Sequence, residues 1–322
     1  MSIVSLFLIG YLHAQQAFTR SMTLMGSGFE ITIVAKNQKE ATYYIEMAVE
    51  EISRIEQLIS SWDPNSQTSQ INHNAGKAAV AVDSELFELI QRSLSISKIT
   101  QGAFDISYAS MDRIWKFDGS MTLMPDKEVI RQSVSKVGFE KVILDPKESS
   151  VFLEEEGMKI GFGAIGKGYA ADKAKDLLKS RGAVSGIINA SGDMSVWGTK
   201  ADGSPWMVGI SNPMDKSKVF SWFPIKDGAV VTSGDYEKYT LIDGKRYAHI
   251  INPKTGMPSH ELISATVMAP KAELADALAT SLSVMGVEAG LAMIDQLDGI
   301  ECVLVDSHQK IHQSKNIELL QE

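Results

Sequence analysis

Gly161-Phe162-Gly163-Ala164-Ile165-Gly166-Lys167-Gly168-Tyr169-Ala170-Ala171-Asp172 decides how this 322-residue chain folds. A short β-like run at 158–160 leads into it, and an amphipathic helix through Leu177 and Leu178 leaves it. Glycines let the backbone turn tightly and come close to a ligand. The first turn of a helix offers free N–H groups at the positive end of its dipole. Strand, glycine turn and helix start, in that order, make a phosphate cradle. Two phosphate-binding patterns nearly fit. Gly161, Gly163 and Gly166 satisfy G-x-G-x-x-G, yet no series of βαβ units precedes them. Residues 161–167 satisfy most of G-x-x-x-x-G-K-[ST], but Gly168 replaces the hydroxyl residue that would hold magnesium. The alternative is a glycine-rich strand-to-helix turn that packs closely and binds nothing.

The length allows a large core, in one large domain or two. A hydrophobic share of 44% with 22% charged residues is ordinary for a soluble globular protein. A formal net charge of -9 argues against non-specific nucleic-acid binding. The single cysteine, Cys302, lies in the apolar run 300–305, which predicts a buried inert thiol and excludes an intramolecular disulfide. Residues 3–12 form an apolar run ending near the small residue Ala14, the pattern of a short secretory signal, though no lysine or arginine precedes it. The run is too short to span a bilayer. The expectation is a signal peptide over 1–14, one catalytic domain over 15–322, and a periplasmic or exported location, with membrane association left open.

Alternation predicts strands at 21–24 and 29–34 around a turn at 25–28. Apolar spacing predicts helices at 38–59, 84–100 (with Ser84 as N-cap) and 126–137. The loop 60–66 carries Trp62, an aromatic that either packs on the helix end or stacks on a planar ligand. A hairpin is expected at 141–144 and 151–153, and the helix after the glycines should end near Gly182. Strands then dominate, at 186–190, 195–198, 207–210, 219–225, 229–232, 239–242, 247–251 and 262–268. Helices at 273–284 and 289–297 and a strand at 300–305 close the chain. Strands and helices mixed without regular βαβ alternation indicate an α+β fold, with mixed sheets and flanking helices.

Several residues could carry chemistry. Asp276 and Thr280, four apart on one predicted helix, put two oxygens on one face amid small and apolar neighbours. A carboxylate in such surroundings needs a partner. Magnesium would suit it, being satisfied by few protein oxygens when phosphates supply the rest; a dipole-stabilised aspartate is the simpler alternative. His249, at a strand end, is placed to act as a general base or is merely structural. Ser191-Gly192-Asp193 and Ser233-Gly234-Asp235-Tyr236 are similar post-strand turns, functional or ordinary.

The joint order of these pieces is more telling than any one of them. Met25-Gly26-Ser27, Ala103-Phe104-Asp105, the 161–172 stretch, Ser191-Gly192-Asp193, Thr232-Ser233-Gly234-Asp235-Tyr236, residues 249–256 and Asp276-Ala277-Leu278-Ala279-Thr280 occur in one sequence. Together they resemble the FAD:protein FMN transferase (ApbE-like) family over nearly the whole chain after the leader. The resemblance implies a T-fold-like α+β architecture. It implies an FAD site lined by Met25, Trp62, Ala103, Phe104, Asp105, Lys167 and Ile251, with Trp62 where the family often has a flavin-stacking tyrosine. It implies magnesium held by the Ala164 carbonyl and the side chains of Asp276 and Thr280, with His249 assisting catalysis. Gly161 stands where many members have aspartate, Gly166 where many have alanine, and Ser191 replaces the first glycine of a common Gly-Gly-Asp.

The implied reaction moves FMN from FAD to a threonine hydroxyl of a target flavoprotein and releases AMP. The implied partners are exported domains of membrane redox complexes, such as sodium-translocating NADH:quinone reductase; a homodimer is left open. Competing readings are an FAD pyrophosphatase, a non-catalytic periplasmic flavin carrier and a nicotinamide oxidoreductase.

Overall fold

Alternating residues at the start of the described chain fold back as a hairpin, β1 (Gln16–Leu24) with β2 (Ser27–Ala35). Met25 and Gly26 make the turn, both with positive φ (50° and 68°). A computed structural model describes residues 15–317 except 213–214 and 235–238; the expected signal at 1–14 and the Asp235-Tyr236 half of the second turn lie outside them. Helix α1 (Gln38–Ile59) follows, its start capped by the Asn37 side chain, which accepts from the Glu40 N–H. Next come α2 (Gln67–His73), β3 (Val80–Ala81) and α3 (Ser84–Ile99). A 3-10 turn at Ile106–Ser110 leads to α4 (Lys127–Ser133) and the hairpin β4 (Val142–Asp145), β5 (Ser150–Leu153). Helix α5 (Gly166–Ser180) starts inside the glycine stretch.

The second half contributes β6 (Gly186–Ala190), β7 (Asp193–Trp197), β8 (Trp206–Asn212), β9 (Asp215–Ile225), β10 (Asp227–Gly234), β11 (Tyr239–Ile242) and β12 (Lys245–Ala248). It closes with β13 (Leu262–Ala269), α6 (Ala272–Ile294), β14 (Glu301–Asp306) and β15 (Ile311–Gln313). Eight strands form one antiparallel sheet, in the order β1-β2-β6-β7-β10-β13-β14-β15. Helices α1, α5 and α6 cover one face, burying Ile31, Ile33, Ile52, Ile55, Ala170 and Ala174 in one cluster and Val231, Val267, Leu278 and Leu282 in another. The β8–β9 hairpin covers part of the other face, with Trp206 and Val208 on Val34, Val196 and Val230. The result is α+β, as the mixture of periods indicated.

Buried polar side chains fix α5 in place. Lys175 donates to the Val196 carbonyl (2.8 Å) and to Asp227 (2.6 Å), tying α5 to the sheet. Asp172 accepts from Ser195 of β7 (2.7 Å) and from the Glu273 N–H (3.0 Å), so one carboxylate joins the sheet, α5 and the first turn of α6.

The structure differs from the sequence expectations at defined places. Residues 158–160 are not a strand. Their backbone is paired by side chains instead: Asn72 brackets Ile160 through its N–H and carbonyl (2.8 and 3.0 Å), and Ser110 does the same for Lys159 (2.7 and 2.8 Å). Asp83 holds the N-cap position of α3 without a side-chain cap, with Ser84 already helical, and α4 ends at Ser133 rather than 137. Helix α2 was missed; it starts where the Ser66 hydroxyl accepts from the Ser69 N–H. The two expected late helices are one element broken at Gly286 (φ 78°), where Glu261 approaches too closely for a Cβ and accepts from the Val287 N–H. Cys302 is buried, as expected, and burial pushes its thiol up to about 12, which keeps it inert.

Candidate active site

The glycine turn is shaped by what packs on it. The Gly161 N–H donates to the Ile106 carbonyl (2.9 Å), which fixes the approach of the chain. Gly168 lies in the first turn of α5, directly against the start of α6. A Cβ there would stand 2.6 Å from the Ala272 carbonyl carbon and 2.9 Å from the Glu273 nitrogen. The position that lacks the hydroxyl of a Walker motif is therefore glycine because two helices meet there. That closeness lets the Gly168 N–H donate to the Asp276 carboxylate at 3.2 Å, so the mid-chain glycines and the late helix converge.

Lys167, Asp193 and Asp276 form the charged centre. Asp193 opens β7 behind the turn of Ser191 and Gly192, both with positive φ (57° and 101°). The Lys167 ammonium pairs with the Asp193 carboxylate and lies 3.8 Å from Asp276. Both aspartates are 3% exposed. Burial, and then the neighbouring Asp276 charge, push the Asp193 carboxyl well above the usual carboxylate range. Burial likewise raises Asp276, against the pull of Lys167 and the Gly168 N–H. Two buried carboxyls facing one ammonium leave a site with negative charge to place, which suits a divalent cation.

This centre opens into a cavity of about 1130 Å³. Lys167, Ala164, Asp276 and Thr280 line it, as do Ala103, Phe104 and Asp105 on another wall. The Asp105 carboxylate itself faces structure: it accepts from the Ser107 N–H and hydroxyl and from the Phe139 N–H (2.7, 2.6 and 2.9 Å). His249, exposed, and Ile251 line the cavity beyond the end of β12. Trp62 stands at the mouth, 78% exposed, with the Arg113 guanidinium 5.0 Å from its ring centre, a cation–π contact rather than packing on the helix end. Met25 is placed differently. It does not line the cavity; its backbone N–H donates to Glu56 (3.2 Å) and its side chain packs on the main core behind Gly166. Sequence reasoning missed Tyr108, Arg113 and Ser61, which also line the cavity. Tyr108 and Arg113 sit in an irregular segment where no period exists to single them out.

The sequence matches the profile of the ApbE family over residues 25–304. The chain belongs to the ApbE family. It is 32% identical over 298 residues to an FAD:protein FMN transferase of Klebsiella pneumoniae (strain 342), covering 92% of this chain and 91% of that protein. An FAD:protein FMN transferase of Treponema pallidum (strain Nichols) is 28% identical over 93% of this chain and 87% of its own length. Among solved structures, an ApbE protein from Thermotoga maritima superposes with a TM-score of 0.84 at 31% identity, over 93% of this chain and 97% of that one. The flavinyl transferase ApbE of Pseudomonas stutzeri, in its apo form, gives 0.82 at 25% identity, over 94% and 96%. The ApbE fold thus accounts for nearly the whole described chain.

Proposed function

We propose that this ApbE-family chain is an FAD:protein FMN transferase that moves FMN from FAD onto a threonine hydroxyl of a target flavoprotein. The observation that carries this reading is the convergence of Lys167, Asp193 and Asp276 on the glycine turn at the floor of a cavity large enough for a dinucleotide. The diphosphate of FAD lies against the glycine turn at the N-terminus of α5, where the positive end of the helix dipole and the Lys167 ammonium offset its charge. Trp62 offers its face to the flavin at the mouth. The threonine oxygen attacks the phosphorus of the FMN half, the bond to the bridging oxygen breaks, and AMP departs with the bridge electrons. His249 takes the threonine proton. The protein otherwise supplies positioning, as in phosphoryl transfer generally.

The donor set at the centre is all oxygen and fits magnesium: the Ala164 carbonyl, the Asp276 carboxylate and the Thr280 hydroxyl would hold it. When bound it supplies charge neutralisation at the phosphates. Carboxyls raised in the folded protein keep protons that the unfolded chain releases above the ordinary 3.8. Metal-free stability therefore falls as pH rises through that window. A cation must displace such a proton, so its stabilisation grows with pH. Magnesium is expected to raise the melting temperature, measured against a chelator control, more at pH 8 than at pH 5. An equal rise at both would place the cation elsewhere.

The acceptor is an exported domain of a membrane redox complex, in keeping with the apolar run at 3–12, read as a leader. Incubation with FAD, magnesium and a threonine-bearing acceptor, followed by mass spectrometry, is expected to show an acceptor heavier by one FMN residue. Free FMN and AMP with an unmodified acceptor would make it a pyrophosphatase, and bound, unaltered FAD a carrier. His249→Ala is expected to lower kcat by about 10²-fold or more while FAD affinity holds. Equal losses in both would make His249 a binding residue instead.

A further inference from the structure

Tyr108, on the 3-10 turn, lines the cavity and is 36% exposed as a residue. Its hydroxyl comes down on the glycine turn, directly over Gly163. A Cβ on Gly163 would land on that hydroxyl oxygen, although it would stand 3.6 Å from the ring carbon bearing it. A Cβ on Gly161 would point at the same hydroxyl (3.9 Å) and at that of Ser61 (4.0 Å). Bare Gly163 is the space into which this hydroxyl fits, whereas a Cβ on Gly161 would crowd Ala109 first (3.1 Å). A phenol has one proton to give and lone pairs to accept with. With its oxygen seated over Gly163 in the cavity wall, the phenol can offer that proton to an acceptor lying on the turn. Asp276, Lys167 and Arg113 all act electrostatically on the same hydroxyl, and the two cations would draw an anion to that side of the cavity.

We propose that Tyr108 is a substrate-contacting residue whose O–H donates to a phosphate oxygen of the dinucleotide diphosphate as it lies on the glycine turn. The inference rests on the site reading above and adds a hydrogen-bond donor that no pattern in the sequence announced. The donor is neutral, so it steadies the diphosphate without adding to the charge around Asp193 and Asp276. Tyr108→Phe keeps the ring and removes only the hydroxyl.

Binding of FAD and of riboflavin, which has no phosphate, to wild type and Tyr108→Phe tests this by fluorescence titration. A hydrogen bond to a charged group predicts roughly tenfold weaker FAD binding with riboflavin affinity unchanged. Unchanged FAD affinity, or equal weakening for both ligands, would overturn the contact. The seating of the hydroxyl has its own test. Gly163→Ala should weaken FAD binding by collision with Tyr108, and Tyr108→Phe added to it should recover part of the loss. Losses that simply add would overturn the proposed seating. Both readouts are binding alone, so a wild type that binds FAD but never modifies an acceptor would sink the transferase and leave Tyr108 to be judged separately.

Discussion

Gly168→Ala is expected to lower the unfolding free energy by about 3 kcal/mol or more, the upper range for overpacking, and to remove transfer with it. The added methyl has nowhere to go. It meets the backbone of Ala272 and Glu273, not the tip of a flexible side chain, so α5 and α6 must separate. Both helices are pinned elsewhere. Asp172 holds the first turn of α6 to α5, and Lys175 holds α5 to the sheet. Relief at Gly168 must therefore break a buried polar contact or tilt the start of α5. Either outcome moves Lys167 away from Asp276, and a misplacement of about 1 Å at a reacting centre is worth roughly 10²-fold in rate. Denaturant unfolding and the acceptor-mass assay, run on the same variant, check the two halves. A Gly168→Ala protein with wild-type stability would mean that α5 and α6 do not meet as closely as described.

Asp276→Ala is the opposite kind of change, with a small effect on the fold and a large one on chemistry. Its carboxylate is buried beside Asp193, and its charge raises the cost of charging Asp193. Removing it eases that repulsion and leaves Lys167 paired with Asp193. The lost acceptor for the Gly168 N–H works against this gain. Stability is expected to stay within about 1 kcal/mol of wild type, while transfer falls on the order of 10³-fold. The magnesium-dependent rise in melting temperature should vanish too. Transfer that persists with ordinary magnesium dependence would refute the role assigned to Asp276.

How much of this was legible in advance follows from how local each signal is. The long helix at 38–59 and the strand 186–190 stand where their periods put them, because a 3.6-residue or two-residue repeat is written in neighbouring residues. Residues 158–160 misled for the same reason: their composition is strand-like, but the partner is the pair of side chains Asn72 and Ser110, far away in sequence. Trp62 was legible as a large aromatic in a polar loop, whereas its contact with Arg113 was not. Met25 shows the reverse limit. The motif around it is present, but the turn aims its side chain at the core behind Gly166.

The sequence by itself determined the α+β class, the position of most of the longer helices and strands though not their ends, the family and the set of residues able to handle a diphosphate, since these depend on short-range pattern and on motif order. Only the tertiary structure decided why Gly168 is glycine, how Asp193 and Asp276 come to share Lys167, and that Tyr108 rests on Gly163. Each of those is a contact between segments from 26 to 108 residues apart, or fixed by backbone shape where no period runs. Distances of that kind are set by the packing of α5 and α6 on one sheet, and one-dimensional spacing carries no record of them.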